Sequence, residues 1–388
     1  MNNTTKIKLA ALLVWVIIMV FASMTFWEHR HFKEKVVTGK DMTQKKTLGE
    51  YFQPIKGTIN DCNLYFFEGD QPGATFLVIG GSHPEEPGAA LTAQILVENM
   101  DVNQGRVIVA IHGNVSASTV SRPGDAYPPF YNIETDWGKK KFRMGSRWAH
   151  ELDAWPDPVV YTHYPSKQML SNVDVRNFNR TWPGRKNGNL IEKTNYAFMQ
   201  LIKDEGVNMT IDLHEAELEY TVINTIVTHQ KSQNIAAVVS MKLTPTFEKA
   251  GLGVEYSPKK LHGLSHREIG DHSESGVLLF EVAEPMLDRI RGVTGEKLLL
   301  EGKDPFVREA GKHGLLYSPM PESGWPIEVR VGRHCAAINE SMIAWSQYNS
   351  DKPIKVDGIP GYTQVKENNV GHYLHNPAEV SEERIALE

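Results

Sequence analysis

Three features of this chain call for an α/β fold in which a mixed, mostly parallel sheet is sandwiched between helices and preceded by one N-terminal transmembrane helix. Apolar runs at residues 75–79 and 106–111 flank a helical pattern at 89–99, the β-α-β rhythm of a parallel sheet covered on both faces. That rhythm resumes after residue 190, with a helix at 191–205, strands at 209–213 and 220–227, a helix at 234–250 and a strand at 277–282. Residues 9–27 form a run of 19 residues without a charge. That is about the length needed to cross a hydrocarbon core of roughly 30 Å.

In chain order, residues 1–8 are a short tail carrying Lys6 and Lys8, and 9–27 is the membrane anchor. Phe21-Ala22-Ser23-Met24 is a poor cleavage site, so the anchor is expected to remain uncleaved. Basic residues stand on both sides of the span, Lys6 and Lys8 before it and Arg30, Lys33 and Lys35 after it, and their balance gives little orientation. N-terminal anchors of this kind mostly leave their domain outside the cytoplasm. Glycosylation acceptor patterns at Asn114, Asn179 and Asn208 fall beside strands or in the site argued below, which favours a bacterial periplasm or cell envelope over an ER lumen.

Residues 28–50 are charged and aperiodic and read as a linker; the folded domain is expected over 51–350. Residues 115–175, rich in Pro, Gly, Asp and aromatics, interrupt the rhythm as a long irregular insertion of the kind that is usually functional. A polar loop at 258–275 precedes the strand at 277–282, helices follow at 294–300 and 334–348, and 351–388 reads as a closing loop or frayed extension.

At 388 residues and 41% hydrophobic content the chain can bury a sizeable core. A net charge of -6 and the lack of a long basic run set nucleic acid aside as a partner. Two cysteines, Cys62 and Cys335, exclude a disulfide framework and a cysteine zinc knuckle, leaving one disulfide or two free thiols.

The chemistry is concentrated where strands end. Val78-Ile-Gly-Gly-Ser-His-Pro-Glu-Glu stops an apolar strand at two glycines and presents His83 and Glu86 three residues apart on one turn. Imidazole nitrogen and carboxylate oxygen are both zinc ligands, and a catalytic zinc takes three protein ligands and keeps one position open. His214, at the end of Met209-Thr-Ile-Asp-Leu-His, supplies the third at the matching sheet edge. Alone, a strand-end histidine is more often structural; a His-x-x-Glu turn at the same edge reverses that weight. Asn179 and Arg180 offer amide and guanidinium donors suited to a carboxylate, although an Asn-Arg pair is ordinarily a surface feature. Glu281 interrupts the apolar strand Val277-Leu-Leu-Phe-Glu, where a carboxylate is costly unless paired or beside a metal, and it suits a base acting on water. A structural salt bridge is its bland alternative. Glu284 is expected at the surface, and His112, His262, His266 and His272 are given ordinary loop or packing roles.

The order H-x-x-E, N-R, D-L-H-x-A and a late strand Glu resembles the zinc carboxypeptidase superfamily, most closely its succinylglutamate desuccinylase/aspartoacylase-like branch, over residues 75–285. The resemblance implies that His83, Glu86 and His214 hold Zn2+, that Asn179 and Arg180 bind the substrate carboxylate, and that Glu281 is the general base. Asn114-Val-Ser-Ala followed by Arg122 resembles the branch motif whose arginine polarises the scissile carbonyl. Pro84 stands where the branch has glycine. Asn177 stands where D-x-N-R has an aspartate that orients a ligand histidine, which implies weaker zinc binding or water activation unless Asp174 substitutes.

The expected function is zinc-dependent hydrolysis of an amide next to a carboxylate, on a small-molecule or peptide substrate, of the N-acyl-amino-acid deacylase type. A metallocarboxypeptidase acting on peptides or cell-wall stem peptides is the alternative within hydrolases. A membrane-tethered, non-catalytic binding protein of the same fold is the alternative outside them.

Overall fold

The computed structural model describes residues 2–120, 127–247 and 250–388. Helix α1 (Asn3–His31) is followed by strands β1 (Lys35–Val37), β2 (Met42–Thr47), β3 (Asn63–Glu68) and β4 (Gln71–Ile79). Helix α2 (Pro87–Asn99) returns the chain to β5 (Asp101–Ala110). The insertion then holds a four-residue helix α3 (Val115–Ser118), a hairpin of β6 (Phe130–Thr135) and β7 (Gly138–Arg143), a second short helix α4 (Glu151–Ala154) and a small pair β8 (Tyr161–Thr162) and β9 (Met169–Leu170). Regular alternation resumes with α5 (Leu190–Asp204), β10 (Met209–Ala216), β11 (Thr225–Thr228), α6 (Gln233–Leu243) and β12 (Gly253–Tyr256). Helix α7 (Ser265–His272) and β13 (Gly276–Ala283) come next, then α8 (Glu296–Glu301), α9 (Pro305–Lys312), α10 (Ile327–Tyr348), β14 (Lys355–Asp357), α11 (Tyr362–Asn368) and β15 (Ile385–Leu387).

The main sheet runs β12-β11-β13-β10-β4-β5-β3-β2, with β14 pairing β5 at one end. Its centre, β13-β10-β4-β5, is parallel, and antiparallel pairs appear toward the edges. Because successive strand residues face opposite ways, the central strands serve two cores. Phe76, Val78, Val107, Val109, Ile211, Leu213 and Phe280 face α2, α6 and α10, while Leu77, Ile79, Ile108, Ala110 and Val277 face α5 and Ile269 of α7. Both faces of the parallel centre are covered by helices, as the near-continuous apolar runs require. Cys62 and Cys335 are buried free thiols.

Residues 28–50 do not form the linker read from sequence. Residues 28–31 complete α1, Val36 and Val37 are fully buried in β1, which pairs with β15, and β2 is an edge strand of the main sheet. A three-residue strand shows no period, and the lysines of β2 are the charged residues that keep a sheet edge from pairing further. Nor is 351–388 a frayed extension: β14, α11 and β15 are built into the domain, with Tyr362, Val365 and Val370 buried. The expected strand at 220–227 begins only at Thr225, and the helix at 234–250 ends at Leu243. Within the loop read at 258–275 lies α7, whose eight residues are too few to establish a helical period.

Candidate metal centre

Strands β4 and β10 are parallel neighbours, so both deliver their ends to the same sheet edge. Beyond β4, Gly81 adopts a left-handed φ of +55°, and the Glu86 N–H bonds the His83 carbonyl at 2.9 Å to close the turn. Pro84 fits because the turn needs no N–H from it. Glu86 is the N-cap of α2, and two residues on a side chain at Gly88 would collide with Glu215, whose Oε2 accepts the Gly88 N–H at 2.7 Å.

His83, Glu86 and His214 are all buried, with one candidate ligand atom from each lying within 4.8 Å of the others. Glu86 Oε1 faces His83 Nδ1 at 2.7 Å; its Oε2 faces His214 Nδ1 at 2.9 Å and accepts the Glu215 N–H at 3.0 Å. Each histidine is held from behind. His83 Nε2 donates to Asn177 Oδ1 at 2.9 Å, and the Asn179 N–H donates to that same oxygen, which fixes the amide with its oxygen toward the ring. His214 Nε2 lies 3.0 Å from Asp212 Oδ2, and Asp212 in turn accepts hydrogen bonds from the hydroxyls of Ser82 and Ser265. Burial, opposed by the Glu86 carboxylate, lowers the His83 pKa to about 4. For His214 burial acts the same way, but Asp212 and Glu86 outweigh it and raise the pKa. Two imidazoles and one carboxylate, converging and supported by outer hydrogen-bond partners, are a donor set that fits a divalent metal such as zinc.

Glu281 is opposite His214 in the parallel register of β13 and β10. Its Oε2 is buried without a hydrogen-bond partner among the described residues, and burial, with Glu86 adding to it and His214 opposing, raises its pKa well above the usual carboxylate range. Both carboxylates line a cavity of about 470 Å³ that also reaches Arg147, Asn177, Arg180 and Tyr220. Arg147 is aimed by Glu85, which accepts both its Nε at 2.8 Å and its backbone N–H at 3.1 Å; its Nη2 reaches Glu86 Oε1 at 3.3 Å. Arg180 lines the same cavity, forms no ion pair among the described residues, and donates Nη1 to the Asn179 carbonyl at 2.7 Å.

Not every sequence expectation meets here. The Asn179 side chain accepts the Ser265 N–H at 2.8 Å, so it fastens the loop before α7 and is not among the cavity's lining residues. Arg122 lies outside the described residues. Asp174 lines the cavity but leaves His83 to Asn177. Glu284, expected at the surface, is fully buried: Arg330 of α10 reaches Glu284 Oε1 and Glu215 Oε1, each at 3.0 Å. The strand ends at Ala283 and the chain turns, so strand alternation no longer governs residue 284. His112 pairs with Glu34, His262 and His272 with Glu268, and His266 with Ser257. Sequence reasoning missed Asp212 and Arg147. Asp212 was available, since residues two apart on a strand share a face with His214; Arg147 comes from the insertion, where no period marks it.

No family model matches the chain, and no curated protein matches it. Among solved structures the chain is similar to the apo cell shape determinant protein Csd4 from Helicobacter pylori, at 10% identity and TM-score 0.44, covering 79% of this chain and 58% of that one. It is similar to the product-bound ectoine utilization protein EutE (DoeB) from Ruegeria pomeroyi, at 14% identity and TM-score 0.32, covering 57% and 53%. It is also similar to an aspartoacylase family protein from Mesorhizobium loti, at 17% identity and TM-score 0.33, covering 68% and 63%. The chain thus spans less than two thirds of the length of each. The last of them carries the name of the branch that the motif order resembles; the site described above rests on its own geometry.

Proposed function

We propose that this protein is a zinc-dependent hydrolase of an amide bond next to a carboxylate, of the N-acyl-amino-acid deacylase type. The observation that carries the reading is the convergence of His83, Glu86 and His214 with Glu281 set opposite His214 on the neighbouring strand. The order of motifs, resembling the succinylglutamate desuccinylase/aspartoacylase-like branch, supports it.

His83, Glu86 and His214 would hold the metal, which when bound supplies Lewis-acid polarisation of the carbonyl and makes water more acidic. The rest is done by the chain. Glu281 takes a proton from the attacking water as its oxygen adds to the amide carbonyl, and gives that proton to the nitrogen as the C–N bond breaks. Its buried Oε2, without a hydrogen-bond partner among the described residues, suits a group that must accept and then release a proton. Arg180 grips the substrate carboxylate, and Arg147, held by Glu85, directs positive charge at the carbonyl oxygen as it becomes negative. Helix α1, long and apolar enough to cross a membrane, anchors the domain, which we place on the extracytoplasmic side of a bacterial envelope.

The test is metal analysis of the purified full chain followed by assay on N-acyl amino acids and on C-terminally unblocked peptides. Stoichiometric zinc with turnover of acyl amino acids is the expected result. Turnover of peptides alone would replace the deacylase with a carboxypeptidase, zinc without turnover of either would leave a tethered binding protein, and absence of stoichiometric zinc would overturn the reading.

A further inference from the structure

The membrane-proximal end of α1 does not hang on a flexible tether. Its last turn is fastened to the domain: His29 is buried with Nε2 2.7 Å from the Met144 carbonyl, and Arg30 Nη2 reaches Asp153 Oδ1 at 2.7 Å. Asp153 also accepts the Ser116 hydroxyl at 2.7 Å, so it belongs to the domain as firmly as to the helix. The apolar part of α1 ends at Trp27, only three residues before Arg30. A rise of about 1.5 Å per residue puts the Arg30 backbone within about 5 Å, along the helix axis, of the end of the apolar stretch. Asp153 therefore marks a point on the domain that lies at the level where α1 leaves the bilayer.

The segment that follows Asp153 exposes large apolar side chains. Leu152 is 77% exposed, Trp155 72%, Val159 96% and Met169 75%. The segment is pinned from beneath by the buried Arg176, which takes Glu151 at 2.9 Å and Asp157 at 2.8 Å and donates Nη1 to the Ala149 carbonyl, while Glu151 and Lys167 stay exposed as the polar neighbours of the apolar side chains. Thr162 pairs with Met169 in the β8–β9 ladder, which fixes the backbone of that methionine. So the backbone is fixed while its apolar tips point out. Single exposed apolar residues need no explanation, but four such side chains within residues 152–169 of a pinned segment mark an interaction site. A tryptophan among aliphatic side chains, at the level of a membrane helix end, has the composition of an element that lies in the lipid interface.

Resting on the reading that α1 crosses a membrane, we propose that the segment 152–169 is a second membrane contact, inserting Leu152, Trp155, Val159 and Met169 into the interface of the same leaflet from which α1 emerges. Two contacts fix the tilt of the domain over the bilayer, where one helix alone would leave it free to rock. The partner is the lipid itself, and no second protein is required.

Because Cys62 and Cys335 are buried, added surface thiols can be labelled selectively. The full chain carrying V159C, L152C, I17C or M241C, each labelled with an environment-sensitive fluorophore, is placed in phosphatidylcholine/phosphatidylglycerol nanodiscs without quencher, with lipid bearing a shallow spin-label quencher, and with lipid bearing a deep acyl-chain spin-label quencher. Met241 lies on α6 and is 68% exposed, so it serves as the exposed control. Labels within the interfacial layer, about 5–10 Å deep, should be quenched about twofold or more at 152 and 159 and hardly at 241. Quenching at 17 with none at 152 and 159 overturns the second contact and leaves the anchor standing. No quenching at 17, about 15 Å below the end of the apolar stretch, by the deep quencher overturns the anchor and this proposal with it. Protection of 152 and 159 by self-association, without lipid quenching, would assign the patch to another protein and overturn the lipid contact.

Discussion

The side-chain oxygen of Asn177 accepts the Nε2 hydrogen of His83 at 2.9 Å. A neutral amide thus does the orienting for which the resembled family uses a carboxylate, and it leaves Nδ1 turned toward Glu86. Removing it with N177L should weaken zinc binding about 10- to 100-fold, the usual cost of losing such a partner, whereas N177D should hold or tighten it. Competition against a chromophoric chelator reads both. Wild-type affinity in N177L would mean that the bond orients nothing.

Glu281 and His83 should separate chemistry from metal binding. E281Q keeps the shape of the side chain but cannot take a proton, and is expected to lower kcat by about 10²- to 10⁴-fold with zinc content unchanged. H83A should lose both zinc and activity. Full activity in E281Q would remove it from the role of base.

Arg180 is a cavity-lining cation that forms no ion pair among the described residues. Losing a charged hydrogen bond worth about 1.5–3 kcal/mol in R180M should raise KM for a carboxylate substrate about 10- to 100-fold. The same variant should treat the carboxamide analogue as the wild type does. Equal losses on both substrates would point to damage elsewhere in the cleft.

Arg330 lies between two fully buried carboxylates, Glu215 and Glu284. R330M should destabilise the protein by about 3–5 kcal/mol, since it strands buried charge that no water can reach. Thermal unfolding of the full chain in detergent reads the loss. Adding E284Q to R330M should recover part of it, because one stranded carboxylate is then neutral; no recovery would mean that Arg330 acts by packing alone.

The sequence was most informative where periods are long and burial is two-sided. The parallel centre of the sheet, α2, α5 and the strand-end positions of His83, Glu86, His214 and Glu281 could all be read, because apolar runs and turn glycines mark them. Short elements escaped. Strand β1 spans three residues and owes its burial to a partner at the far end of the sequence, so nothing local announces it. Glu284 escaped for another reason: its role depends on Arg330, from a helix that no motif links to it. Asn179 was placed in the right neighbourhood, but sequence does not say which way a side chain on an irregular turn points, and it bonds the Ser265 N–H.

The pairing of β1 with β15 sets the timing of assembly. Val36 and Val37 are made early, just behind α1, but the strand that pairs with them is made late. A long-range closure of this kind is slow, because the intervening chain must be ordered first. As the chain emerges, a short apolar strand therefore waits just behind α1 while the sheet and both helical layers are built. Closure of that last ladder completes the β1–β15 sheet, and a chain cut short before residue 385 would keep α1 and the His83, Glu86 and His214 cluster yet lack the strand that pairs with β1.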